Sequence, residues 1–325
     1  MSNTLAGQIR SYLWASVRVL HRWDYAYYLP WIAGLPLSVA YALQNVRGLV
    51  NGLTGRDWRS VGMRNRHIWR QTQLGYQQLS PNANPGVLKA WRRTRFRTEA
   101  REEFEAQLIV QKRVAELHCE SGKADLPSFV SDTQVGTVML TLHLDSFLLG
   151  AAFLATKTSV RHNFMSSAIT RDPRVCTSVQ NHFENKYRGL EHYLNGGKVV
   201  DMEDGVRPFY RMLENGETLL VMGDAPVLPQ GAAMNVEFLG AQRALAAGAF
   251  RLAQKTNSRI GAYLCFYQGG ANYQLRVLRA LPASDPHVLA DIYQFFTEAI
   301  NENPGRWWAV DLLPNMPAQA REIAR

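Results

Sequence analysis

Two short stretches hold the residues best suited to chemistry. In "VGTVMLTLHLDSFLLG", His143 follows an uncharged run of β-branched and apolar residues, and Asp145 lies two positions on. The run reads as a buried strand, so His143 stands at its carboxyl end, where open α/β sheets collect ligands. A histidine there can act as a general base near neutral pH, given a carboxylate that fixes its tautomer. If the chain is still extended at Asp145, the period of two puts both side chains on one face. If it has turned, Asp145 is instead a fitting N-cap for a helix that begins near Ser146. The second stretch, "LLVMGDAP", repeats the arrangement with an apolar strand, Gly223, Asp224 and Pro226. A carboxylate at a second strand end can meet His143 across the sheet edge. A bland reading stands beside each: a buried histidine bonded to backbone, and a Gly-Asp turn. No GxSxG, Walker loop, GxGxxG or HExxH competes with these two stretches.

The elements around them alternate. "SFLLGAAFLATK" reads as a helix behind the first strand, "VRHNFMSSAI" as the next strand, and "GGKVVDM" as another. "DGVRPFYRMLENG" reads as a helix closed at Asn215-Gly216, followed by the strand "ETLLVMGD". "RIGAYLCFYQ" and "YQLRVLRAL" pair through a turn at Gly269-Gly270, and a long helix ends at Asn303-Pro304-Gly305. This alternation predicts an α/β fold with a largely parallel central sheet flanked by helices over residues 126–325. Residues 1–125 read as a helical region. Its "EAREEFEAQLIVQKRVAELH" stretch carries an apolar stripe among charges that read as a solvated face.

That first region is chemically distinct. Residues 1–100 hold 14 Arg and Lys against three acids, and six of the eight tryptophans. Arginine interleaved with Trp suits an anionic lipid surface, and membrane association is the expectation for residues 1–125. Nucleic acid, contacted through phosphate and base stacking, is the less favoured partner, and a solvated helical face is the plain alternative. Residues Tyr25 to Val46 carry no formal charge, but Pro30, Gly34 and Pro36 interrupt the run. An interfacial or half-inserted segment therefore fits better than a clean transmembrane helix. The three cysteines, Cys119, Cys176 and Cys265, are widely spaced, which argues against a disulfide framework or a structural zinc.

Taken in order, these blocks resemble the lipid A late acyltransferases, the bacterial lauroyl/myristoyl transferases of the lysophospholipid acyltransferase superfamily, from about residue 30 to residue 315. "LTLHLDSFLLG" is similar to the family's strand followed by His-Phe/Leu-Gly-Asn-Trp-Glu. "ITRDPRV" is similar to its basic-Asn-Pro stretch at Arg171, Asp172 and Pro173. "DGVRPFYRMLENGETLLVMGDAP" matches through Gly205, Arg207, Leu213, Gly216 and Asp224. "VEFLGAQRALAAGAFRLAQKTNSRI" resembles a segment followed by a small-residue helix, and "FTEAINENPGRWWAV" the C-terminal Trp-bearing signature.

The resemblance implies transfer of a fatty acyl chain from an acyl carrier protein or coenzyme A thioester to a hydroxyl or amine of a lipid, glycolipid or amphiphilic acceptor. It implies a histidine general base, no metal and no bound cofactor. It also implies a place on the cytoplasmic face of the bacterial inner membrane, held peripherally or by the N-terminus. One departure matters. The residue five after His143 is Leu148 where the family carries Glu. Three explanations follow: Asp145 takes over the acid's role; a remote carboxylate does, among Asp224, Asp201, Glu203 and Asp204; or the chain is a catalytically silent lipid-binding or scaffold protein on the same fold. Asp145 is the favoured partner for His143, with Arg171, Arg207 and Asp224 shaping the substrate site.

Overall fold

The computed structural model describes residues 19–62, 68–121, 135–227, 231–316 and 318. The residues before 19, and the expected boundary at 125/126, lie outside those described. Among the described residues, seven strands form the central sheet in the order β1 (His118–Ser121), β9 (Asn272–Pro282), β8 (Arg259–Gly269), β2 (Thr137–Thr141), β5 (Thr218–Met222), β3 (His162–Ser166) and β4 (Val199–Asp201). Every neighbouring pair is parallel except β8 and β9, which form the expected antiparallel hairpin. β2 is buried at all five positions, as an uncharged strand covered on both faces must be.

Helices cover both faces. They are α1 (Leu29–Ala33), α2 (Leu37–Thr54), α3 (Ile68–Leu79), α4 (Pro85–Val110), α5 (Phe147–Thr156), α6 (Thr177–Glu191), α7 (Arg207–Glu214), α8 (Gly248–Lys255) and α9 (Val288–Glu302). One apolar cluster joins Tyr25, Leu29 and Ile32 to Phe104, Phe147, Leu149 and Tyr273, so the N-terminal helices share a core with one face of the sheet. The other face packs under α9 and the C-terminal segment.

Two expectations are corrected. The acids of α4 are not a solvated face: Glu99, Glu102, Glu103 and Glu105 are all buried. Each meets a cation inside the protein, Glu99 with Arg95, Glu102 with Lys186, Glu103 with Arg47 and Glu105 with Arg101. Sequence periodicity could not show this, because those partners come from other elements or from the helix's own next turn. The stretch likened to a small-residue helix begins instead as a strand. β6 (Ala233–Phe238) and β7 (Ala241–Ala246) form an antiparallel hairpin, and helix α8 starts only at Gly248. The turn between them is Leu239-Gly240, with φ of 55° and 72°, the two-residue geometry that follows strand twist.

The uncharged run near the N-terminus is broken where its prolines stand. α1 ends at Ala33, and α2 begins after Pro36. α2 is inside out for a surface helix. It buries Gln44, Arg47 and Asn51 against α4, together with the small residues Gly48 and Gly52. A Cβ on Gly52 would lie 2.8 Å from the Arg93 carbonyl oxygen, so glycine allows the close helix approach. Its outer face exposes Val39, Val46, Leu49, Val50 and Leu53. Among the described residues, no helix is long and apolar enough to cross a membrane.

Candidate active site

Strand register brings the two chemical stretches together. Thr141 of β2 is the partner of Met222 of β5. His143 and Asp224 each lie two residues beyond that pair, so the period of two sends both side chains to the same side of adjacent strand ends. His143 Nδ1 lies 2.8 Å from Asp224 Oδ1, and the His143 backbone N–H donates to Asp224 Oδ2 at 2.9 Å. Trp307 Nε1 donates to the same Oδ2 at 2.9 Å. Asp224 is fully buried. Burial alone would raise its pKa, but the His143 ring and the hydrogen bonds from His143 and Trp307 outweigh it and hold the carboxyl below its ordinary value. An ionised carboxylate only accepts, so the His143 proton sits on Nδ1 and Nε2 is left free.

Asp145 does not take that place. The chain turns there, with φ of 51°, so neither continued extension nor a side-chain cap on α5 describes it. Its carboxylate is fully buried against Arg101 and lies 3.1 Å from Arg306. Ser146 Oγ donates to Glu105 Oε1 at 2.9 Å. The Asp145 cluster therefore ties α4 and the C-terminal segment to the turn after β2, while the imidazole donates its hydrogen bond to Asp224. The other remote carboxylates are engaged elsewhere: Asp201 with Ser166 and Arg171, Glu203 with the Ala168 N–H, and Asp204 with Arg171.

The C-terminal segment supplies side chains that spacing did not single out. Residues 306–308 run beside residues 143–145, with Trp308 N–H donating to the His143 carbonyl oxygen and Asp145 N–H to the Arg306 carbonyl oxygen, both at 3.0 Å. The Trp308 ring meets the imidazole edge to face at 4.7 Å, and Phe147 packs against both rings, at 5.5 Å from the imidazole and 5.9 Å from Trp308. Trp307 and Trp308 were visible only as part of a signature, without a role. Arg95, wholly buried, anchors this segment through the Trp308 carbonyl oxygen at 2.9 Å while pairing with Asp57 and Glu99.

His143 opens on a cavity of about 360 Å³ whose wall is mostly apolar, including Phe147, Leu148, Phe164, Phe183 and Trp308. That is within the range of small-molecule pockets, about 300–1,000 Å³. Leu148 is part of this wall. A second, more polar recess shares Trp58, Arg59, Ser167, Ile169 and Leu312 with it and adds Asp172, Arg174 and Glu203. Arg171 stands near the recess but spends its guanidinium on Asp201 and Asp204, at 3.0 and 2.9 Å, and lines neither space. Arg207 is exposed in the first turn of α7 and lines neither. Among the described residues, no group of three or more His, Cys, Asp or Glu converges as metal ligands do.

No curated protein matches the chain. A family model does: bacterial lipid A biosynthesis acyltransferase, over residues 170–310. The matched span begins after His143 and includes Arg171, Arg207, Asp224, Trp307 and Trp308. From residue 170 to residue 310 the chain therefore carries the sequence pattern of the bacterial lipid A biosynthesis acyltransferases, the family that its ordered blocks resemble.

Proposed function

We propose that the protein moves a fatty acyl group from a carrier thioester to a hydroxyl or amine of a lipid-like acceptor, with His143 as general base and Asp224 as the residue that positions it. The observation that carries this reading is the His143–Asp224 pair at 2.8 Å, set at the rim of an apolar cavity with Nε2 uncommitted. The acyl chain enters the cavity and the acceptor occupies the polar recess. Nε2 takes the proton of the acceptor as its oxygen or nitrogen attacks the thioester carbonyl. The tetrahedral intermediate then expels the thiolate, and the imidazolium returns the proton to it. Asp224 favours the imidazolium without itself becoming protonated. The donor is acyl carrier protein or coenzyme A, and no bound cofactor takes part.

The inverted polarity of α2 supports work at a lipid surface. Between Arg22 and Arg56 the only charged side chains, Asp24 and Arg47, are buried and pair with each other at 2.8 Å. Leu20, Trp23, Tyr27 and Trp31 recur at helical spacing and are all exposed, adding to the apolar surface that α2 presents. An apolar face of this extent suits the interfacial zone of a bilayer on its cytoplasmic side.

Incubation of the protein with acyl thioesters and candidate acceptors tests the chemistry. Thiol release that depends on acceptor is expected, falling by at least about 10³-fold in His143→Ala. Transfer that persists unchanged in that variant rules out the base. Binding of lipid with no thioester consumption under any acceptor favours a silent binding protein instead.

A further inference from the structure

The wall of the apolar cavity carries a buried polar trio that the reaction does not use. Glu102 of α4 and His182 and Lys186 of α6 all line it. All three are buried, with relative exposures of 3%, 3% and 4%. Lys186 Nζ lies 2.5 Å from Glu102 Oε1. Nζ also stands over the faces of Phe183 and Phe147, at 4.9 and 5.6 Å from the ring centres.

His182 is set as a donor. Gln107 Nε2 lies 3.0 Å from His182 Nδ1, and an amide nitrogen can only donate, so Nδ1 accepts and Nε2 carries the ring proton. Burial, then the nearby Lys186 and Arg47 cations, hold the ring pKa down to about 3, which keeps it neutral. Nε2 is buried and, among the described residues, has no hydrogen-bond partner. A buried donor left unpaired is costly, and a buried ion pair can often be replaced by apolar side chains without loss of stability. The fold alone therefore gives no reason for this buried trio in a mostly apolar wall.

We infer that Glu102, His182 and Lys186 form a binding station for an oxygen function carried within the cavity's occupant, so that the acyl chain is a hydroxylated or oxo-fatty chain and not a plain hydrocarbon. A hydroxyl there accepts from Lys186 Nζ or His182 Nε2 and donates to the Glu102 carboxylate. A keto oxygen accepts from the two donors. The role of the cavity as an acyl site rests on the acyl-transfer reading, but the binding preference is measured without turnover.

The test is equilibrium binding of a medium-length saturated fatty acid and its monohydroxylated isomers, read by the fluorescence of Trp58 and Trp308 in the cavity wall. At least one isomer is expected to bind about tenfold more tightly than the plain acid, the worth of one charge-assisted hydrogen bond. The advantage should disappear in Lys186→Met combined with Glu102→Gln, which leaves no buried charge unpaired, and shrink in His182→Phe, which leaves the ion pair intact. Thermal melts of both variants establish that they fold. Equal affinity for the plain acid and every isomer, no binding of any fatty acid, or an advantage that survives both variants would overturn the inference. Preferential binding without thioester consumption would leave it standing and remove the transfer reading. Turnover with no preference for the oxygenated chain would do the reverse.

Discussion

At the scale of single residues, the question is which carboxylate is placed to hold His143, since the apolar Leu148 five positions on cannot. Asp145 and Asp224 are both fully buried carboxylates within reach of this end of the sheet, but they hold different things. Asp224 accepts from the imidazole and from the His143 backbone, whereas Asp145 faces Arg101 and Arg306. Their asparagine variants should separate accordingly. Asp224→Asn can present its amide N–H to Nδ1 and force the proton to Nε2, so the rate should fall by about 10³–10⁴-fold, as it does when a triad acid is lost elsewhere. Its pH–rate profile should change shape, since the imidazolium loses its counter-charge. Asp145→Asn should melt earlier, by an amount on the order of 3 kcal/mol for a broken buried pair, while what folds keeps the wild-type profile. A profile altered in Asp145→Asn and unchanged in Asp224→Asn would reverse the assignment. The dyad was half legible in the sequence: two strand ends bearing His and Asp could be read, but the choice of partner waited on the β2–β5 register and on the turn at Asp145, which no spacing rule reports.

At the scale of elements, α2 and α4 show what periodicity can and cannot say. The apolar residues of α2 recur at helical spacing, a pattern that by itself does not say whether they face the core or a lipid surface. They face outward because the face turned to α4 carries Arg47, which meets Glu103 at 2.7 Å and the Ala100 carbonyl oxygen at 2.9 Å, with the buried Gln44 and Asn51 beside it. An arginine so placed commits the opposite, apolar face to whatever lies outside. The charges of α4 misled for a related reason: Glu102 and Glu103 find Lys186 and Arg47 on helices distant in sequence, and the pairs within α4, Arg95 with Glu99 and Arg101 with Glu105, are themselves buried. If the outer face of α2 lies in the headgroup region, Leu49→Glu with Leu53→Glu should lower the partition onto vesicles containing anionic phospholipid by at least about tenfold, because each apolar side chain contributes roughly 1.5–3 kcal/mol when buried and a carboxylate adds repulsion. Both positions are already exposed, so the melting temperature should stay within a degree or two. Co-sedimentation equal to wild type would remove lipid from that face.

At the scale of the whole molecule, the parallel sheet and its crossovers were readable because alternation of strand and helix is a local signal repeated many times. The buried ionic network was not, because it is a property of how the N-terminal helices close over the sheet. Glu105 lies where α4, the turn after β2 and strand β9 meet. Its Oε1 accepts from Ser146, Tyr273 and Arg101, at 2.9, 3.0 and 3.1 Å. Burial, opposed by Arg101 and reinforced by the charge of Asp145, pushes its carboxyl up to about 8, so it is protonated at neutral pH in spite of the nearby guanidinium. In the unfolded chain the same group titrates near 4.3, about the ordinary glutamate value. The folded state thus holds the extra proton, and the stability that Glu105 contributes is complete below about pH 4.3 and lost as pH rises towards 8. Glu105→Gln keeps the shape of the protonated acid and cannot ionise. The unfolding free energy of the wild type, measured by denaturant titration at a series of pH values, should therefore fall relative to that of the variant between pH 5 and pH 8, and the difference should level off above it. Parallel curves over that interval would mean that Glu105 is ionised in the folded protein and that Arg101 divides its charge between Glu105 and Asp145, with the packing of the N-terminal helices onto the sheet held by two ionised carboxylates and not by one.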